Sequence, residues 1–193
     1  MDDLVALDKK LLLFFNGQHN SFWDPVMYYS TGTLFWLPLY LILLFLIFKK
    51  YKINSWYILA GVAVTILLAD QITSSLMKPY FARLRPSQEP SLQGLVHLVH
   101  DYKGGLYGFA SSHAANTFGT AVIIWLWLRP YFRFAWVIFI WAGFMTYTRI
   151  YLGVHYPGDV VVGAAIGLLC GWIGFRFSKW LIDRIQNKLT SAS

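Results

Sequence analysis

The chain has 193 residues, of which 57% are hydrophobic, 19% aromatic and only 13% charged. A soluble domain carries roughly 25% charged residues, so this composition excludes an ordinary soluble protein and indicates a membrane protein. The net charge is +7. In so apolar a chain we expect the cations to set the membrane orientation and bind an anionic ligand, and we expect no nucleic-acid partner. The single cysteine, Cys170, excludes an intramolecular disulfide and a thiolate metal cluster.

The first predicted element is an amphipathic segment over residues 1–31. Apolar residues recur there at helical spacing, while polar residues occupy the other faces: Leu4, Leu7, Leu11, Phe14 and Phe15 against Asp8, Lys9 and Asn16. We interpret this segment as a helix lying in the membrane interface, with a sixth membrane crossing as the alternative.

Five apolar runs follow, over residues 34–48, 53–77, 112–128, 134–148 and 160–175. About 20 apolar residues are needed to cross the hydrocarbon core, so the flanking residues must complete the shorter runs. The sequence therefore predicts an all-α fold. We expect a polytopic transmembrane helix bundle, forming one domain over residues 1–193, with five spans plus the N-terminal amphipathic or sixth helix.

The loops between these runs alternate in charge. The short connections at 49–52 and 129–133 and the C-terminal tail are rich in Lys and Arg, so the positive-inside rule places them in the cytoplasm. The loops at 79–111 and 149–159 then face the periplasm or exterior of a bacterial cytoplasmic membrane. Cations nevertheless lie on this outer side, which suggests that they have another role.

The unusual polar residues cluster at that outer face: Lys78, Arg83, Arg85, Ser111, Ser112, His113, Arg149, His155 and Asp159. Ionisable groups at membrane depth are costly and usually mark functional sites. Together they supply the fixed positive charge, hydrogen-bond donors, nucleophile and proton donor that phosphoryl transfer needs. The alternative is a polar cap in which Arg149 pairs with Asp159 and the histidines bond to backbone groups.

Three motifs in this cluster resemble those of the type 2 phosphatidic acid phosphatases. Lys78 is followed after six residues by Arg85-Pro86, Ala110-Ser111-Ser112-His113 resembles Pro-Ser-Gly-His, and Thr148-Arg149 precedes His155 and Asp159 at the family's spacing. The motifs lie in the family's order within residues 78–159. Ala110, Ser112 and Thr148 depart from the pattern without removing a catalytic group, although the Ser112 side chain is expected to narrow the pocket.

The resemblance implies a role for each motif residue. His155 would attack phosphorus and form a phosphohistidine, with Asp159 orienting its ring. His113 would protonate the leaving oxygen and then activate water. The remaining motif residues would bind the phosphate, and no metal or other cofactor is implied; these phosphate-binding residues are Lys78, Arg85, Ser111, Ser112 and Arg149.

We therefore predict a membrane phosphatase that removes a terminal phosphate from a lipid phosphate or diphosphate at the outer face. Undecaprenyl diphosphate is the favoured substrate by family analogy. Phosphatidylglycerol phosphate and the lipid A 1-phosphate group are alternatives within the class, and a non-catalytic lipid-phosphate transporter is an alternative outside it. Membrane lipids are the expected surroundings, and the sequence does not predict an oligomeric state.

Several further residues allow two interpretations. Asp70 and Ser74 share a helix face, either beneath the site or, as we favour, bonded to a neighbouring helix. His97, His100 and Asp101 resemble metal ligands but are expected to be surface residues. Arg83 is expected either to join the phosphate cluster or to contact lipid head groups.

Overall fold

The computed structural model describes residues 2–191 and, within them, 78% of the chain is helical. The main helices are α1 (Asp2–Asn16), α2 (Trp23–Ser30), α3 (Leu37–Tyr51), α4 (Ser55–Asp70), α5 (Lys78–Phe81), α6 (Ser112–Leu128), α7 (Ile138–Tyr151) and α8 (Pro157–Ser191). A π-helical segment, Gln71–Met77, joins α4 to α5 without a break. Across the described residues, extended pairing is limited to a single antiparallel bridge between Leu84 and Tyr107.

Each of the five predicted spans corresponds to a helix. Helices α3 and α7 begin three or four residues later than predicted, because a short 3-10 turn precedes each of them. Helix α8 continues well past the predicted end at residue 175, since a basic surface does not break a helix. Within the part of the chain that the structure describes, two helical runs are long and apolar enough to cross a membrane by length and composition alone, Thr33–Phe81 and Pro157–Lys188. The number of crossings stays a prediction.

Helix α6 lies at the centre of the bundle and packs against α4, α7 and α8. Its contact with α8 is close because α8 carries glycines at every fourth residue. A Cβ atom added to Gly163, Gly167 or Gly171 would lie 2.3, 2.3 and 2.4 Å from backbone oxygens of α6. Small residues at this spacing let two helix backbones approach in a membrane bundle. The stripe therefore fixes α6 against α8.

The outer surfaces of the long helices are strongly apolar. Large side chains such as Leu41, Phe45, Leu67, Ile140 and Leu169 are more than half exposed. A soluble monomer rarely exposes contiguous apolar surface on this scale. This surface suits lipid contact.

The N-terminal segment forms two helices, α1 and α2. The predicted apolar face of α1 points away from the protein, since Leu4, Leu7 and Phe14 are exposed. The opposite face packs on α7 and α8, where Leu12 and Asn16 are fully buried. At about 1.5 Å per residue, α1 is roughly 22 Å long, shorter than the hydrocarbon core.

Candidate active site

The second motif forms the N-terminus of α6. Ser111 is the N-cap residue, and its Oγ accepts a hydrogen bond from the Ala114 N–H at 3.4 Å. Serine is favoured at this position because its hydroxyl satisfies a backbone N–H that has no partner in the first helical turn. His113 then follows as the second residue of the helix. The expectation that these residues begin a helix is confirmed.

The third motif lies at the N-terminus of α8. Pro157 is the first residue of the helix, Asp159 is the third, and His155 precedes both. The backbone N–H of Ser111 donates to the backbone oxygen of Asp159 at 3.0 Å, so the starts of α6 and α8 are joined directly. Motifs 40 residues apart in sequence therefore meet at one end of the bundle.

His155 is 2% exposed and contacts a different charged group at each ring nitrogen. Its Nδ1 lies 3.4 Å from Asp159 Oδ2, and its Nε2 lies 3.2 Å from a terminal nitrogen of Arg85. A guanidinium can only donate hydrogen bonds, so Nε2 must accept and carry a lone pair. The proton is then on Nδ1, facing Asp159. This tautomer leaves Nε2 as the nucleophilic nitrogen.

The electrostatic environment keeps this imidazole neutral. Burial holds the pKa of His155 well below its usual range, and the neighbouring cations Arg85, Arg149 and Lys78 lower it further. The backbone of Gly108 lies against the ring, where an added Cβ would be 3.5 Å from Nδ1. His155 is thus held among three cations as a neutral imidazole, with its one ring proton on Nδ1.

Two of these cations are arginines fixed by neutral partners. Arg85 donates from Nε to the Tyr107 carbonyl at 3.1 Å and from a terminal nitrogen to the Val154 carbonyl at 3.3 Å. Arg149 donates to Thr31 Oγ1 at 2.8 Å. Because these partners carry no charge, both guanidinium groups keep their positive charge for an anion. The predicted pairing of Arg149 with Asp159, the polar-cap alternative, is not what the structure has.

The third cation, Lys78, is held by the hydroxyl that distinguishes this chain from the family motif. Its Nζ donates to Ser112 Oγ at 2.6 Å and to Ser74 Oγ at 3.3 Å. Ser112 Oγ also contacts Thr73 and Ser74, each at 2.8 Å. The side chain of Ser112 therefore bonds to Lys78 and to the π-helical segment Gln71–Met77, whereas we expected it to narrow the pocket.

Asp70 belongs to the same network. Its Oδ1 accepts a hydrogen bond from Ser74 Oγ at 3.0 Å. Because Lys78 donates to the same hydroxyl, Ser74 connects the carboxylate of Asp70 to Lys78. We favoured a bond from Asp70 to a neighbouring helix, but its partner is on its own helix and lies beneath the site. The i, i+4 spacing was the correct signal.

Arg83 is held by two carboxylates, one of which belongs to the predicted site. Its two terminal nitrogens donate to two carboxylates, Asp159 Oδ1 and Asp8 Oδ2, each at 2.7 Å. Its guanidinium also lies 3.9 Å from the centre of the Tyr156 ring. Arg83 thus bonds to the carboxylate that faces His155.

Polar atoms at the centre of the site are free to bind a ligand. Among the described side chains, His113 Nε2, Asn116 Oδ1 and Arg149 Nε are buried without a hydrogen-bond partner. Unpaired buried polar groups are costly and call for an explanation. A bound phosphate ester would supply hydrogen-bond acceptors for His113 Nε2 and Arg149 Nε.

An apolar groove of about 630 Å³ begins at His113 and runs between α3, α4, α6 and α7. Near the histidine its wall carries Asn116, Thr117 and Thr120, and the rest is mostly aliphatic or aromatic: Leu37, Tyr40, Leu41, Leu43, Leu44, Ile47, Leu59, Val62, Ile66, Ile124, Trp141 and Met145. His113 belongs to both the polar site and the wall of the groove, so the two adjoin at this residue. The arrangement can hold a phosphate at one end and a hydrocarbon chain at the other.

The candidate metal residues divide into two places. His97 contacts Asp24 at 2.9 Å and stacks on His19, with ring centres 3.7 Å apart, whereas the His100 ring packs against Tyr28. Three potential ligands therefore lie close together. A metal ion must lie in the plane of each imidazole that binds it, and two parallel stacked rings do not share such a point. His19, Asp24 and His97 form a hydrogen-bonded and stacked cluster that joins α2 to the long loop, residues 79–111.

Three side chains from outside the motifs hold the arginines of this site. Asp8 contacts Arg83, while Thr31 and Tyr102 hold Arg149, with the Tyr102 hydroxyl 3.1 Å from its second terminal nitrogen. The acidic Asp8 within an amphipathic segment was the one available signal. Nothing local marks Thr31 or Tyr102, because their function depends on how distant segments pack.

Comparisons with known proteins agree with these motifs. The model of the PAP2 superfamily matches residues 54–183. A lipid A 4'-phosphatase of Bacteroides thetaiotaomicron is 43% identical over 95% of this chain and 82% of its own length. A second lipid A 4'-phosphatase, from Porphyromonas gingivalis, is 33% identical over 94% and 79%. The undecaprenyl-diphosphatase BcrC of Bacillus subtilis is 22% identical over 90% of both chains.

Solved structures show the same fold. The crystal structure of Aquifex aeolicus LpxE has a TM-score of 0.67 at 25% identity, covering 89% of this chain and 96% of its own. With the three motifs assembled at one end of an apolar helix bundle, these relatives confirm the resemblance found in the sequence. The chain belongs to the PAP2 superfamily and is a membrane lipid phosphatase, an enzyme that hydrolyses phosphate esters.

Proposed function

We propose that this enzyme removes the 4'-phosphate of lipid A at the outer face of the bacterial cytoplasmic membrane. The observation that carries the lipid part of this proposal is the apolar groove of about 630 Å³, which begins at the motif residue His113. A lipid phosphate has this same polarity, since its anion and its hydrocarbon chains are adjacent. The two lipid A 4'-phosphatases that match nearly the whole chain favour this lipid over undecaprenyl diphosphate, which the sequence alone favoured.

The reaction proceeds through His155. Its Nε2 attacks phosphorus, the bond between phosphorus and the sugar oxygen breaks, and the phosphoryl group becomes bound to the histidine. Arg85, Arg149 and Lys78 bind the equatorial oxygens and offset the charge of the transition state. In the ground state one of these cations already lies 3.2 Å from Nε2, so the incoming phosphate must displace Arg85 from the lone pair.

Proton transfer is assigned to His113. Its Nε2 is buried at the start of the groove, where it can protonate the departing oxygen. In the second step it takes a proton from water, which attacks phosphorus, breaks the bond to His155 Nε2 and releases inorganic phosphate. Asp159 holds the proton of His155 Nδ1 and balances the charge that develops on the ring. Ser111 contributes the N-terminus of α6, whose free N–H groups favour an anion. Ser112 acts through Lys78.

Undecaprenyl diphosphate is the second candidate substrate. A diphosphatase of that lipid from Bacillus subtilis matches 90% of the chain, and a prenyl chain suits the same apolar groove. The two substrates differ in the number of chains and in the group that departs, which is a sugar hydroxyl for lipid A and a prenyl phosphate for the diphosphate.

The test is phosphate release by the purified protein in detergent, from lipid A, undecaprenyl diphosphate and phosphatidylglycerol phosphate in parallel, with a chelator present. We expect lipid A to be hydrolysed fastest, with mass spectrometry locating the loss at the 4' position. His155→Ala is expected to abolish release while the protein remains folded. Faster turnover of undecaprenyl diphosphate would overturn the substrate assignment, and full activity of His155→Ala would overturn the mechanism.

A further inference from the structure

The N-terminal helix places a carboxylate next to the catalytic motifs. Asp8 lies on the buried face of α1, and its side chain is 14% exposed. Its Oδ2 accepts a hydrogen bond from Arg83 at 2.7 Å, and its Oδ1 accepts one from the backbone N–H of Gly158 at 2.8 Å. Gly158 is the second residue of α8, so its N–H has no partner within that helix. One side chain of α1 therefore binds both Arg83, which lies within the first motif segment, and the start of α8.

Arg83 extends this contact to the carboxylate of the site. The other terminal nitrogen of Arg83 donates to Asp159 Oδ1 at 2.7 Å, and the guanidinium packs on the Tyr156 ring. Asp159 has no exposed side-chain surface, and its second oxygen faces the Tyr156 N–H and His155 Nδ1. The orientation of this carboxylate, and with it the orientation of the imidazole, depends on Arg83.

Two carboxylates are needed to hold Arg83 in this position. The site already contains three cations that bind an anion, and a fourth guanidinium with one partner would be drawn toward a bound phosphate. Asp8 holds one end of the guanidinium, which keeps the other end on Asp159. Asp8 also fixes the backbone of α8 at Gly158, three residues after His155 and one residue before Asp159.

We propose that Asp8 is a positioning residue for His155, acting through Arg83 and Asp159. The N-terminal helix is then part of the catalytic architecture, although all three motifs lie after residue 77. This inference rests on the proposed roles of His155 and Asp159. It predicts that loss of the Asp8 charge reduces turnover more than substrate binding, because the residue touches no substrate.

The experiment compares Asp8→Asn with Lys9→Met in detergent, with lipid A as substrate, or undecaprenyl diphosphate if that lipid is turned over faster. Lys9 is the matched control because it docks the same helix on the long loop, through Glu89 and Ser91, without touching Arg83. Misplacement of a reacting group by about 1 Å costs roughly 100-fold in rate. We expect Asp8→Asn to lower kcat by about 10- to 100-fold with KM nearly unchanged, and Lys9→Met to leave kcat within about twofold of the wild type.

A double-mutant cycle with Arg83→Gln tests the path of the effect. If Asp8 acts through Arg83, the double variant is no slower than Arg83→Gln alone, whereas independent effects would multiply. Thermal unfolding of each variant is measured beside activity. If Asp8→Asn does not fold, Asp8→Glu carries the test, since it keeps the charge but displaces the guanidinium, and the same loss of kcat is expected.

Three results would overturn the inference: wild-type kcat in folded Asp8→Asn, equal losses in Asp8→Asn and Lys9→Met, or multiplicative effects in the cycle. His155→Ala separates this outcome from a failure of the proposed function. An inactive His155→Ala beside a fully active Asp8→Asn refutes the positioning role alone. An active His155→Ala refutes the histidine mechanism and the positioning role together.

Discussion

The glycine stripe of α8 predicts a substitution that damages the site without touching it. In Gly163→Ala the new Cβ would lie 2.3 Å from the backbone oxygen of Ser111 and 3.2 Å from the Ala114 Cβ. The first distance is about 1 Å shorter than an ordinary non-bonded contact. Since the obstacle is backbone on both sides, no side chain can rotate away, and the starts of α6 and α8 must separate by about 1 Å.

The separation has two consequences of different size. Overpacking in a close contact costs about 1–3 kcal/mol, and alanine in a helix recovers about 0.5–1 kcal/mol relative to glycine, so the net loss of stability is about 0–2.5 kcal/mol. The effect on catalysis is larger, because Ser111 bonds to the backbone of Asp159 across this contact. A displacement of about 1 Å between His113 and His155 predicts a loss of roughly 100-fold in kcat/KM.

Two other glycines supply matched controls. Gly171→Ala creates a similar overlap, 2.4 Å from the Gly119 oxygen, but two turns farther along α8, so we expect a similar loss of stability with a smaller loss of activity. A Cβ on Gly143 of α7 meets no atom within 4 Å, so Gly143→Ala should keep full activity. Thermal unfolding and lipid phosphatase assays on Gly163→Ala, Gly171→Ala and Gly143→Ala test these expectations. Wild-type kcat/KM in Gly163→Ala, or an equal loss in Gly143→Ala, would refute the reasoning.

Two further predictions concern the nucleophile and the groove. Because burial holds the pKa of His155 well below 6.5, the wild type should lose stability relative to His155→Asn by up to about 1.4 kcal/mol per pH unit as pH falls below 6.5. Unfolding curves of the two proteins that change equally with pH would contradict this. Val62 lines the groove, so Val62→Trp should exclude about two methylene groups of the lipid chain from it. This loss predicts about a tenfold lower kcat/KM for lipid A. The rate for a phosphate monoester without a hydrocarbon tail should not change. Leu67→Trp, on the exposed side of α4, is the control for Val62→Trp, and equal losses in both would count against the groove.

Much of the fold could be predicted because helix formation is local. Long apolar runs placed all five helices of the bundle, and Ser111 and Pro157 marked the starts of α6 and α8, as the structure confirms. The ends of the helices were less certain. Apolar runs stop where charged residues begin, yet α8 continues to Ser191 because a helix does not require an apolar surface on every side.

The residues of the site could be predicted from the sequence, but their contacts could not, because those contacts are not local. Motif spacing identified the residues that meet at the starts of α6 and α8. It did not indicate that the Ser112 side chain bonds to Lys78 or that Arg83 bonds to two carboxylates. A motif records which residue types recur together, and it does not record which neighbour each side chain faces.

The sequence by itself therefore determined the helices, the three motifs and the chemistry that those residue types can perform, since each depends on composition or on spacing along one chain. The tertiary structure decided the pairing of Asp8 with Arg83, the support of Arg149 by Thr31, the glycine contact between α6 and α8, and the groove beside the site. These features depend on the rotation and separation of helices that are far apart in sequence. The rotation and separation of two helices are set by the energy of packing their surfaces together. That energy depends on both helices, so it cannot be inferred from either segment alone.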